Sequence, residues 1–211
     1  DNIEEVIFKR IVFRRSWLDF SGKGINSHLF WDWYFFRRYI RDQMAGREYD
    51  QNWFSALVEE KKSLKLLTQR LIIAAFHCDQ NISKREKLLQ HHFLKSARLF
   101  PKSTRRKVSQ WMKSGINLYQ LRFPELEAVA QRYLLDTALL ALLADQEYSK
   151  PEQDFADVLA RKLGLSDTDA YAAKVDMGSF LLRHADRLSF VDLRKGSWLL
   201  LMHAFEENMN R

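Results

Sequence analysis

An all-α fold, a compact helical bundle, is what the sequence predicts, and three observations carry the prediction. Gly occurs seven times and Pro three times in 211 residues, too few breakers for a chain of short strands and tight turns. Leu, Ala, Lys, Arg, Glu and Gln abound, while alternating β-branched runs are absent. Apolar residues recur at three- and four-residue spacing over long stretches, and a 46% hydrophobic content with 13% aromatics is enough to fill a core.

Residues 1–60 form an aromatic and basic helical segment. VIFKRIVFRRSW carries a helical stripe at Ile7, Ile11 and Val12, SGKG at 21–24 supplies a turn, and HLFWDWYFFRRYIRDQM makes a second helix from Asn26 or Ser27 to an exit at Met44-Ala-Gly46. From Ser63 the helices lengthen into LKLLTQRLIIAAFHC, SKREKLLQHHFLKSARLF and RRKVSQWMKSGINLYQL, separated by short polar or Pro-bearing joints. After Phe123-Pro124 the order recurs as ELEAVAQRYLLDTALLALLA, SKPEQDFADVLARKLG, DTDAYAAKVDMGSFLLRHADRL and VDLRKGSWLLLMHAFEENM. This divides the chain into the N-terminal segment, 1–60, and a helical domain, 61–211, with repeat units at about 63–122 and 125–211.

The recurrence is specific in sequence. DQNISKRE begins at Asp79 and DQEYSKPE begins 66 residues later, at Asp145. At that offset Ala75, Asp79, Gln80, Ser83, Lys84 and Glu86 fall on identical residues, and Leu89, Phe93 and Leu99 fall on Phe155, Leu159 and Leu165. Two helix–loop–helix units related by duplication, packed as one bundle, account for this better than a solenoid, which needs more repeats. Ser83 with Glu86 and Ser149 with Glu152 have capping-box spacing, and Pro151 suits a first helical turn. Asp79 and Asp145 sit where the negative end of a helix dipole disfavours an acid. A basic neighbour, loop N–H groups or a bound divalent cation would each offset that, the cation being held between Asp79 and Glu86, or between Asp145 and Glu152, with Gln80 or Gln146 or a backbone carbonyl as further oxygen ligands.

An A-D-x-x-x-S-x-x-E corner between amphipathic helices, followed about a dozen residues on by LGLS, resembles the TerB-like domain of bacterial tellurite-resistance proteins and of the N-terminal part of a membrane-anchored DnaJ-type co-chaperone. The likeness is best over Leu139 to Asp169 and weaker over Ile72 to Phe100, together about a third of the chain. The family commonly has Gly after the Asp, where this chain has Gln80 and Gln146. The resemblance implies an all-α bundle, cation-binding acidic corner residues, which are Asp145 and Glu152 with Asp79 and Glu86 as a second set and Glu147 as an extra ligand, and a place in envelope-associated stress or phage-defence assemblies, without a catalytic centre.

Charge is the stronger functional signal. The net +7 divides into 23 Lys/Arg against 12 Asp/Glu in residues 1–120 and 11 against 15 in residues 121–211. Between Lys84 and Lys113 there are ten basic residues and one acid, whereas the matching window, Lys150 to Ser179, has four basic residues and six acids. A solvated helix face has no need of such one-sided charge. Lys95, Arg98, Lys102, Arg105, Arg106 and Lys107 therefore form a candidate patch for an acidic protein segment, an anionic membrane surface or nucleic acid, with Arg37 and Arg38 in aromatic surroundings as further candidates. No Walker loop, dinucleotide fingerprint, HExxH or paired CxxC occurs, and no small-molecule substrate suggests itself. Cys78 is the only cysteine, which rules out an internal disulfide and suits a reducing compartment. No apolar run reaches the ~18 residues of a membrane span. The expectation is a non-enzymatic cytoplasmic interaction or scaffold module, in a membrane-associated or stress-response assembly, with a divalent-cation-binding stress protein and a nucleic-acid-binding protein as the alternatives.

Overall fold

A computed structural model describes residues 29–47, 51–79, 87, 90, 100–143 and 148–183. Six helices fill these segments: α1 (Leu29–Met44), α2 (Gln51–Phe76), α3 (Lys102–Ser114), α4 (Ala128–Leu142), α5 (Lys150–Lys162) and α6 (Asp167–Arg183), with a 3-10 turn at Leu118–Gln120. No strand occurs among the described residues, so the all-α bundle expected from composition is what forms.

The bundle is organised around the fully buried C-terminal parts of two helices. Leu134 through Leu142 are all buried on α4, and Leu71 through Phe76 are all buried on α2. A helix apolar on every side has to be enclosed by others. α2 and α4 pack most extensively on each other; α1 and α3 then cover α2, while α5 and α6 cover α4 and touch one another. The helix spacing follows the 66-residue offset of the sequence. α2 and α4 end 66 residues apart, at Phe76 and Leu142, and α3 and α6 start 65 apart, at Lys102 and Asp167. Each of the latter two packs on its own preceding core helix. Residues 84–96, the counterpart of α5, lie outside the described residues except for Lys87 and Gln90; Gln90 is buried, as is its counterpart Ala156.

Two buried threonines close their hydrogen bonds onto their own helices. Thr68, fully buried, donates to Leu64 O at 2.9 Å and accepts the Trp31 indole N–H at 2.8 Å, which pins α1 to α2. Thr137 donates to Tyr133 O at 2.8 Å. Phe30 stacks on Tyr133 with ring centroids 3.7 Å apart, so α1 also reaches α4, and burial pushes the Tyr133 phenol well above its ordinary range. Arg132 binds Asp136 on its own helix and Asp176 on α6, each at 2.8 Å.

Around the aromatic seam, α1 is fastened by ion pairs. Asp32 accepts from Lys61 at 3.0 Å and Lys65 at 2.8 Å, and Arg38 reaches both oxygens of Glu60 at 3.1 Å. Arg41 binds Glu127, the residue before α4, at 2.8 Å. Burial by itself would raise the Asp32 pKa, but Lys65 and Lys61 together outweigh it and hold the carboxyl below its ordinary value. Glu127 is likewise lowered, by the hydrogen bond from Arg41 against an opposing effect of burial.

Two elements depart from the sequence expectation. α2 begins at Gln51, about a dozen residues before Ser63, and runs without a break through residues 60 and 61. The helix expected to reach Leu121 ends at Ser114 because Gly115 adopts φ +72°, with its N–H closing on Trp111 O at 2.8 Å and the His77 ring only 3.4 Å from where a Cβ would stand. Asn117 then caps the 3-10 turn by accepting from Tyr119 N at 2.9 Å.

Two outcomes follow for stability. Leu139→Ala, at a fully buried site on α4, lowers unfolding free energy by roughly 2–5 kcal/mol in chemical denaturation. Met44→Ala, at an exposed site, stays within about 0.5 kcal/mol. The lowered carboxyl pKa of Asp32 stabilises the fold above the unfolded-state value of about 3.9 and is lost as pH falls through the folded-state value. Stability is therefore flat from neutral pH to about 5 and falls below about 4, and Asp32→Asn makes the acid limb shallower.

Candidate interaction surface

α3 is a surface helix held by a narrow apolar stripe. Val108 is its only buried side chain, while Trp111 and Met112 pack partly into the core and Arg70 of α2 lies over the Trp111 ring at 5.4 Å. Every exposed side chain of α3 is polar: Lys102, Ser103, Arg105, Arg106, Lys107, Ser109, Gln110, Lys113 and Ser114. At 100° per residue Lys102, Arg106 and Lys113 fall within about 40° of one another, opposite the buried stripe, with Arg105 and Lys107 on the two flanks. The result is a basic crest about 16 Å long.

What distinguishes this crest is that five cations without an ion pair share one helix. Elsewhere on the described surface six cations pair with nearby acids, Arg38 with Glu60, Arg41 with Glu127, Arg47 with Asp42, Lys62 with Glu59, Lys150 with Asp154 and Lys174 with Asp157, while the exposed Arg37, Lys87, Arg122 and Arg161 form no ion pair among the described residues but are dispersed over different elements. Among the described residues no ion pair involves Lys102, Arg105, Arg106, Lys107 or Lys113.

The crest also opposes its own helix dipole. α3 starts after Pro101 with no side-chain cap and no acid in its first turn, and three of its cations, Lys102, Arg105 and Arg106, crowd the positive end. The chain handles the other satellites differently. At α5, Glu152 is buried at N3 and its carboxylate accepts the Ser149 N–H at 2.6 Å. At α6, Ser166 accepts Asp169 N at 3.1 Å, and Asp167 and Asp169 occupy the first turn. α3 and α6 hold equivalent places in the duplicated bundle, and their leading turns carry opposite charge.

The remaining expected site residues distribute as follows. Arg37 is exposed and lies over the Trp33 ring at 5.5 Å, whereas Arg38 is half-exposed and engaged by Glu60. Lys95 and Arg98 lie outside the described residues, as do Glu86, Asp145 and Glu147 of the expected cation ligands. Asp79 follows the last turn of α2, partly buried, just beyond Cys78, whose N–H closes on Ala75 O. Glu152 is committed to the cap of α5. Beside it, burial first, then the nearby Asp157, Glu152 and Cys78, push the Tyr148 phenol up to about 12, so the end of α2 and the start of α5 share one end of the bundle. Among the described residues no group of three His, Cys, Asp or Glu side chains converges as a metal site would require, and His77 is engaged with Ile73 O at 2.8 Å. Lys113 was missed by the sequence cluster; its place seven residues after Arg106, on the same helical face, is the signal that finds it.

Comparison with protein-family models finds no match, and no curated protein or solved structure is significantly similar to the chain. Among the described residues no helix is long and apolar enough to cross a membrane.

The dipole argument makes a prediction with a definite sign. Arg106→Glu puts an acid near the positive end of α3 and raises stability by about 0.3–1 kcal/mol at low salt, a gain of about 1–4 °C in thermal midpoint. The gain fades in 1 M salt. A fall in midpoint would make Arg106 a structural residue.

Proposed function

We propose that the chain is a non-enzymatic interaction module of TerB-like type that docks an acidic protein segment through the crest of α3, as the cytoplasmic part of a membrane-associated or stress-response assembly. The observation that carries the reading is the crest itself: five exposed cations on one short helix, placed against the helix dipole, none of them in an ion pair among the described residues. Stability alone selects against that arrangement, since the equivalent helix α6 has an acidic first turn. The TerB-like reading draws on the repeated corner sequence at Asp79 and Asp145 and on the all-α architecture.

Within the classes that answer to basic charge, the crest favours a protein segment. Its exposed side chains are all polar, so it offers no apolar anchor for a bilayer and no aromatic platform for unstacked bases. Docking of this kind is electrostatic, fast and salt-sensitive.

Anisotropy titration of labelled polyglutamate at low salt tests the proposal. Binding weakens at least about tenfold in the triple variant Arg105→Glu, Arg106→Glu, Lys107→Glu, with helicity retained, since three charge reversals exceed the 1.4 kcal/mol that tenfold represents. Unchanged binding overturns the reading. Duplex DNA that binds more tightly under the same conditions, and is lost in the same variant, transfers the crest to nucleic acid.

A further inference from the structure

Arg70 of α2 is a partly buried cation at the foot of the basic crest. Its guanidinium lies 5.4 Å from the centre of the Trp111 ring, and its Nε, alone of its three guanidinium nitrogens, is shut off from water with no hydrogen-bond acceptor. The other partly buried cations of the described bundle are each answered by oxygen: Arg38 by Glu60, Lys61 and Lys65 by Asp32, Arg132 by Asp136 and Asp176, Lys174 by Asp157, and Lys162 by the Leu121 carbonyl. Within this class, and among the described residues, the Arg70 side chain alone has neither an ion pair nor a hydrogen bond.

A cation taken partly out of water costs free energy, and an aromatic face returns only part of it. Helix geometry says where the cost is borne. Trp111 lies one turn after Lys107 and within about 40° of it around α3, so it marks the Lys107 edge of the buried stripe. His77, two turns along α2 from Arg70, packs against Gly115 just past the end of α3. Arg70 therefore stands in the seam between α2 and α3, on the Lys107 flank of the crest. Its planar fork of donors matches a carboxylate, which is the group this seam lacks.

We propose that the acidic segment docked by α3 seats one Asp or Glu carboxylate on the Arg70 guanidinium, beside Lys107, and that this contact anchors the complex while the crest steers it. The proposal rests on the docking reading of α3 and adds the point at which the partner is held. Exposed cations attract an arriving anion through solvent and salt, and chiefly set the association rate. A partly desolvated arginine without a counter-ion gains more from a single carboxylate, because the attraction is less screened and its donors are otherwise idle. Loss of such a contact shows in dissociation, and arginines so placed recur among binding hot spots.

Stopped-flow fluorescence of the full chain with labelled polyglutamate at low salt separates the two roles. Arg70→Gln raises the dissociation rate about tenfold and leaves the association rate within about twofold. The crest triple variant acts mainly on association, slowing it and flattening its salt dependence. Arg70→Lys, which keeps a cation over Trp111 without the planar fork, raises dissociation at least about threefold and covers the case in which the glutamine variant does not fold. An Arg70 variant that folds and dissociates at the wild-type rate, while the triple variant still loses binding, overturns the anchor and leaves the docking reading standing. A change confined to association also overturns it, since Arg70 is then one more steering charge. Wild type that binds no polyglutamate overturns both.

Discussion

The mutual burial of α2 and α4 is the constraint on which the rest of the molecule depends. Nine consecutive residues of α4, Leu134 to Leu142, and six of α2, Leu71 to Phe76, are shielded from water on all sides. Two contacting cylinders cover only part of each other's surface. The remainder has to be closed by helices with one apolar stripe, which is the character of α3, α5 and α6. α1 closes the other side with rings: Phe30 on Tyr133 and Trp31 on Thr68 tie it to both core helices at once. The polar residues tolerated inside this seam are those whose hydrogen bonds close locally, Thr68 and Thr137 onto their own helices and Asp136 onto Arg132.

Charge is arranged on this frame with two different logics. Asp32, Glu60 and Glu127 each meet a cation across a helix boundary, which orients α1 against α2 and α4 without adding to the core. Exposed pairs of this sort contribute modestly to stability, and their value lies in excluding alternative packings of an aromatic helix that is apolar over much of its surface. The cations of α3 do the opposite. They meet no acid among the described residues and stand at the helix end that disfavours them. Duplication supplies the comparison that makes this informative, because α6 shows how the same position looks when charge follows the dipole.

Most of the architecture was legible in the sequence, and for identifiable reasons. LLDTALLALLA is too uniformly apolar for a surface helix, so α4 could be placed within a few residues, and Ser149 with Glu152 marked the start of α5 where Glu152 indeed caps it. The 66-residue offset located both core helix ends. The early start of α2 was not legible, because Gln51 to Lys62 is largely exposed and has weak apolar periodicity; its helicity follows from continuity with the buried half. Gly115 inside a helical pattern is ambiguous until its positive φ and the neighbouring His77 ring are known. Asp32 with Lys61 and Lys65 pairs residues about thirty apart, beyond the range of any local pattern. Of the candidate site, the cluster from Lys102 to Lys107 was legible as charge. Its lack of ion pairs with the described acids was not, since that depends on where the acids of other helices point.

Backbone hydrogen exchange, recorded with and without saturating polyglutamate, tests most directly the division between a core that holds the fold and a helix proposed to dock an acidic segment. Slowest exchange belongs to Leu71–Phe76 and Leu134–Leu142 as one cooperative unit, with α3 opening at lower free energy. Added polyglutamate then slows residues 102–114 well beyond any general stabilisation. Protection gained elsewhere but not on α3, or core helices that exchange independently of one another, would contradict the account.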